Sequence, residues 1–175
     1  MNLLRVFILT TFCISFFDAI QTCAENEKEA STNIKQIVET ALGKNIRIET
    51  AEMPIKHYQI YTIAENKNSL SAYLFLTSEL GLSQKGFKDK IDLAIICDTK
   101  GAIIDVSVLK HKETEKYFQK ISSGGLLKKW KGLKTTDNQP DAITGATFTS
   151  HGINDGISAV LKKLNDIGFF KNKTK

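Results

Sequence analysis

The chain has 175 residues, of which 42% are apolar and 25% charged. That is enough for one ordinary domain with its own core, and the balance excludes a disordered or fibrous protein. The net charge of +5 would suit a nucleic-acid partner, but the N-terminal segment argues against one.

Arg5 precedes an almost unbroken apolar run from Val6 to Phe17, which Asp18 stops. The run is shorter than the ~20 residues that a membrane span needs. It predicts a signal peptide over residues 1–24, with the Thr22-Cys23-Ala24 site cleaved after Ala24. An uncleaved anchor extended through Ile20 and lipidation at Cys23 are the alternatives. Loss of Arg5 and Asp18 together leaves the net charge unchanged. The basic residues cluster at Lys128-Lys129-Trp130-Lys131 and in a tail over 169–175. They are either a solvated face and a frayed end, or a surface attracted to an anionic membrane or an acidic redox partner.

An amphipathic helix follows within residues 25–47. Ser31-Thr32-Asn33 offers a cap, and Ile34, Ile37, Val38, Ala41 and Leu42 recur at helical spacing before Gly43. The segment 48–168 then reads as the main domain. Strands are predicted at Ile46–Thr50, Tyr58–Ile63, Leu70–Leu76 and Ile91–Cys97. The last is nearly all apolar and therefore central. Asp98-Thr99-Lys100-Gly101 is a turn. Beyond it, Ile104, Val106 and Val108 alternate with Asp105 and Ser107, which predicts a hairpin partner with those three side chains on one face. Cys97 reads as a small buried hydrophobe, and no disulfide or haem pattern accompanies it.

Helices are predicted over Glu113–Ile121, with Tyr117, Phe118 and Ile121 on one side, and over Leu126–Trp130. A last helix is marked by Ile153, Ile157, Val160, Leu161 and Leu164 and closes at Gly168. Helix, strands and helices in that order, with no βαβ alternation, give an α+β fold: a bent antiparallel sheet with flanking helices.

The stretch Asp141-Ala142-Ile143-Thr144-Gly145-Ala146-Thr147-Phe148-Thr149-Ser150 enters that last helix. Gly145 permits a sharp turn and close approach of a ligand, and Ala146 leaves the approach open. Thr147, Thr149 and Ser150 supply hydroxyls, as caps or as ligands of an anion at the helix N-terminus.

This stretch resembles the attachment motif of the FMN-binding domain family, Asp-x-x-[Ser/Thr]-Gly-Ala-Thr, through Asp141, Thr144, Gly145, Ala146 and Thr147. The family includes the covalent-flavin subunits of sodium-pumping and Rnf-type membrane redox complexes, and short exported proteins. The similarity extends upstream through Gly86–Ile91 and the hairpin to His111-Lys112-Glu113-Thr114, covering about Tyr73 to Leu164. Members of the membrane complexes typically continue Glu-Thr-Pro-Gly-Leu-Gly. Here Glu113-Thr114 is followed by Glu115-Lys116-Tyr117, which favours the short exported branch.

The resemblance implies FMN joined by a phosphoester to Thr147, delivered from FAD by a magnesium-dependent flavin transferase. It places the flavin site at the N-terminus of the C-terminal helix. It puts His111, Glu113 and Thr114 near the flavin, with a surface or structural role as the alternative for His111. Asp141 is expected to serve the transferase. Tyr117 and Trp130 either flank the ring or belong to the core. His57 and His151 carry no argued role, and no metal-ligand spacing occurs.

The expected function is electron transfer by an exported protein, in the periplasm or on the outer face of the cytoplasmic membrane. The flavin supplies the chemistry, so the protein is a carrier more than an enzyme. Its expected partners are the transferase and a membrane or extracytoplasmic redox protein, and it is expected to associate with the membrane. The rival readings are a flavin-dependent reductase of a small substrate, and a binding or assembly module with Thr147 bare.

Overall fold

A computed structural model describes residues 33–64 and 67–171. The predicted signal segment, the Ser31-Thr32 part of the first cap and the last four residues lie outside that range.

The chain divides into two compact units after Thr40. The described residues of the first are helical, and the helix runs on to residue 42 (α1, residues 33–42). A Lys35–Glu39 ion pair at 3.8 Å supports it one turn apart.

The second unit is a six-stranded antiparallel sheet with three helices. Its strands are β1 (Ile46–Ala51), β2 (His57–Ala64), β3 (Lys67–Leu76), β4 (Gln84–Lys85), β5 (Lys90–Asp98) and β6 (Ile103–Lys110). The helices are α2 (Glu115–Ser123), α3 (Leu126–Lys129) and α4 (Thr147–Asp166). This is the expected α+β class. β1, β2 and β3 pair in sequence order, and β3 then pairs with β5. β5 also pairs with β6 and, through Ile91 and Lys90, with the short β4. It is the central strand that its apolar run predicts. Ile91, Leu93, Ala94, Ile95, Ile96 and Cys97 are all buried, so both of its faces are covered.

The hairpin differs from the simple alternation. Asp98 closes the turn by accepting the N–H groups of Lys100 and Ala102, both at 2.8 Å, and Gly101 takes φ 87°. The register then breaks, with Cys97 opposite Ile103 and Ile96 opposite Asp105. The extra residue is Ile104. A bulge of this kind shifts the side-chain phase by one position. Ile103 and Val106 therefore enter the core, Val108 packs against it, and Ile104 stays half-buried.

The core fills the space between the sheet and the helices. Tyr73, Phe75, Leu93 and Ile95 meet Ile153, Ile157, Val160, Leu161 and Leu164 of α4. Each such side chain stabilises the fold by about 1.5–3 kcal/mol when fully buried. The apolar stripe thus fixes the rotation of α4 and decides which motif residues face water. Phe169, counted from composition in the basic tail, is buried among His57, Tyr73 and Phe75, with ring centroids 4.9–5.3 Å away. Burial pushes the Cys97 thiol up to about 12, so it stays protonated and inert.

Candidate functional site

The entry into α4 is a closed loop. Gly145 takes φ 76°, a left-handed conformation that suits glycine. The N–H of Ala146 returns to the Ile143 carbonyl at 2.9 Å. Ser150, buried in the first turn, locks the loop from the other side. Its hydroxyl donates to the Ala146 carbonyl and accepts the Ile143 N–H, each at 2.9 Å.

Thr149 points the opposite way. Its hydroxyl donates to Oε2 of Glu113. The same carboxylate accepts the backbone N–H groups of Phe87 at 3.1 Å and Lys88 at 2.9 Å. Burial alone would raise the Glu113 carboxyl. The Thr149 hydroxyl and the N–H groups of Lys88, Phe87 and Asp89 outweigh burial and hold it below its ordinary range. Glu113 is therefore a buried carboxylate fastening three segments together. The helix predicted from Glu113 begins instead at Glu115, which leaves Glu113 free to reach inward.

Two glycines make this junction fit. A Cβ on Gly86 would sit 2.9 Å from Glu113 Oε1, and one on Gly152 would sit 2.7 Å from the Lys85 carbonyl oxygen. The backbone of α4 thus lies directly against residues 85–86, and the loop that follows is held beside the helix start.

That loop presents Phe87. Its ring meets Tyr117 of α2 edge-on at 5.8 Å and Phe148 of α4 at 6.1 Å. Phe87, Tyr117, Gly145, Ala146, Thr147, Phe148 and Thr149 line an open cleft of about 250 Å³. Phe87 and Phe148 are 50% and 67% exposed, unusual for side chains of this size. Thr147 is exposed at the cleft, and its hydroxyl makes no hydrogen bond among the described residues. No side chain caps α4, whose N-cap is Ala146. The hydroxyls of the first turn of α4 therefore divide: Thr149 and Ser150 are consumed inside the protein, and Thr147 is left to solvent.

Other predicted residues fall further out. Asp141 and Thr144 are exposed and do not line the cleft, and Thr114 is the N-cap of α2. The His111 ring stacks on Phe118 at 3.9 Å with a 20° interplanar angle, and its buried Nδ1 lacks a hydrogen-bond partner. His111 does not line the cleft either. His151 is exposed in the first turn of α4, and His57 is a core residue whose Nδ1 meets the Ile55 carbonyl oxygen at 2.8 Å. Of the two aromatics weighed for the ring, Tyr117 lines the cleft. Trp130 is fully buried, and its indole N–H donates to Asn154 at 2.9 Å.

Phe87 and Phe148 went unrecognised in the sequence as site residues. Exposed aromatics directly beside the glycines of the 86–91 segment and the motif were the available signal. Among the described residues, no group of three or more His, Cys, Asp or Glu side chains is placed to hold a metal ion. None of the described helices is long and apolar enough to cross a membrane.

The family model of the FMN-binding domain matches residues 86–162. The match supports assignment of this segment to the FMN-binding domain family. The matched segment opens at Gly86, carries β5, β6 and the Glu113 junction, and closes within α4, so it contains every residue of the cleft. No curated protein matches the chain. The match supports a flavin-binding protein with FMN as the cofactor. The cleft fits that group: aromatic rings border it, which suits a planar heterocycle, and a free hydroxyl and a glycine turn stand at a helix start, which suits a phosphate. Phe87, Tyr117 and Phe148 would hold the ring side, and Thr147 with the N–H groups of the α4 entry would hold the phosphate.

Proposed function

We propose that this FMN-binding domain carries its cofactor covalently, as a phosphoester on Thr147, and transfers electrons outside the cytoplasm. The observation that carries the reading is the unengaged Thr147 hydroxyl, exposed in the cleft while its neighbours Thr149 and Ser150 are tied to Glu113 and Ala146. A threonine hydroxyl is a weak nucleophile by itself, and the described residues place no general base against it. Attachment therefore needs a magnesium-dependent flavin transferase. The Thr147 oxygen displaces AMP from FAD and gives up its proton, leaving a phosphodiester with one negative charge. Bound flavin supplies electron transfer. The chain supplies the tether, the aromatic walls and the rigid junction that holds Phe87 in place.

The apolar run Val6–Phe17 supports export to the periplasm or the outer membrane face. A tether makes sense there, because free FMN would diffuse away. Glu115-Lys116-Tyr117 after Glu113-Thr114 supports the short exported branch of the family. The basic surface supports an acidic redox partner or association with an anionic membrane.

The test is the intact mass and in-gel fluorescence of the exported chain, co-expressed with a flavin transferase, beside Thr147→Ala. The native chain should gain the mass of FMN less one water and fluoresce after denaturation, and the variant should do neither. A native chain left unmodified by a demonstrably active transferase would overturn covalent attachment.

A further inference from the structure

Lys120 of α2 reaches across to the motif loop. A Cβ built on Gly145 would lie 2.4 Å from its ammonium nitrogen, so the charge rests directly on the glycine turn, two residues before Thr147. The side chain is half-buried. Among the described residues no carboxylate pairs with it: the five ion pairs there involve other cations. Lysine is a mobile side chain, and ordering it over a bare turn loses rotamer entropy with no counter-ion to offset the loss. The start of α4 adds positive partial charge close by. Positive charge is thus gathered beside the Thr147 hydroxyl, and no carboxylate among the described residues pairs with it.

From this placement we infer that Lys120 is the counter-ion of the flavin phosphodiester on Thr147, a positioning residue that holds the tether against the Gly145 turn. The inference rests on the attachment proposed above. Any Cβ on Gly145 would displace the ammonium from the turn.

The experiment is a thermal-denaturation cycle on the full mature chain, with Lys120→Gln and Lys120→Arg each prepared with and without FMN on Thr147, the state of each sample fixed by intact mass. Without FMN, Lys120→Gln removes a repelled charge and should leave Tm unchanged or raise it. With FMN it should lower Tm by roughly 2–4 °C, the change that the loss of one charge-assisted contact produces in a domain of this size. Lys120→Arg should restore the FMN-bound value. Lys120→Gln in a Thr147→Ala chain should follow the FMN-free sign. A merely structural lysine would shift both forms equally, and that result overturns the inference while leaving attachment intact. A native chain that never gains FMN mass overturns the attachment and the inference with it.

Discussion

Glu113 and Thr149 stand 36 positions apart in the chain, yet the Thr149 hydroxyl donates to the Glu113 carboxylate inside the protein. This one contact ties the end of the β-hairpin to the first turn of α4. Through the N–H groups of Phe87 and Lys88 it also holds the aromatic loop of the cleft. Replacing Glu113 by Ala leaves the buried Thr149 hydroxyl and the part-buried N–H groups of Phe87 and Lys88 without their acceptor. We expect a loss of about 2–4 kcal/mol, because unpaired buried donors cost more than the bond itself contributes. Glu113→Gln keeps one acceptor oxygen and should lose less. Urea unfolding at unchanged m value measures both, and a loss in Glu113→Ala below about 0.5 kcal/mol would show that the junction does not hold the loop.

The same carboxylate makes stability depend on acid. Its folded pKa lies below its unfolded value of about 4.3. The unfolded chain therefore binds the proton first as pH falls. The stabilisation is complete above the unfolded pKa and disappears as pH drops through the folded one. The stability gap between the native chain and Glu113→Gln should stay constant from pH 7 to about 5 and narrow below about 4. A gap that widens in acid would mean that Glu113 is protonated in the fold.

Gly152 and Gly156 lie one turn apart on α4, and their alanine variants should diverge. An ordinary helical Gly→Ala change stabilises by up to about 1 kcal/mol. At Gly152 the new methyl meets the Lys85 carbonyl oxygen at 2.7 Å and the Gly86 backbone at 2.9 Å, neither of which can swing aside. Gly152→Ala should therefore cost about 1–3 kcal/mol and lower FMN incorporation by pushing the Phe87 loop away. At Gly156 the nearest atom is a Leu93 methyl at 3.2 Å, so its variant should be near neutral. Equal midpoints for the two in urea would contradict the close approach.

Asn154 bridges two segments. It accepts the Trp130 indole N–H at 2.9 Å and donates to the Pro140 carbonyl at 2.7 Å, just before Asp141 opens the motif. Asn154→Leu strands both groups and should cost about 1–3 kcal/mol. Trp130 is the single tryptophan, so its emission follows unfolding directly. Limited proteolysis should cut the variant faster between residues 134 and 145 than the native chain. Unchanged cleavage would mean that the loop is held by other contacts.

Much of this was legible along the chain, because hydrophobic periodicity is a local property. The spacing of Ile153, Ile157, Val160, Leu161 and Leu164 marks α4, the apolar run Ile91–Cys97 marks the central strand, and Asp98–Gly101 marks the turn. Gly145 and the threonines around it locate the site on the chain. Alternation alone put Ile104 in the core, whereas the bulge seats Ile103 there. Composition assigned Phe169 to a tail, whereas the ring cluster around His57 takes it in. A bulge and a long-range ring contact are set by packing against distant residues, which no window of neighbours records.

The division of labour among the motif hydroxyls shows the same limit most sharply. Read from residue chemistry alone, without the family resemblance that marks Thr147, the hydroxyls of Thr147, Thr149 and Ser150 are equivalent candidates for a cap or a ligand. The sequence by itself determined that hydroxyls, a glycine and a helix start would coincide. Only the tertiary structure decided that Thr149 belongs to Glu113, that Ser150 closes the loop, that Phe87 and Lys120 arrive from elsewhere, and that Thr147 is left facing the cleft. The reason is physical. A hydroxyl's partner is whatever polar group the core's packing carries to within about 3 Å of it, and those groups come from parts of the chain far from the motif.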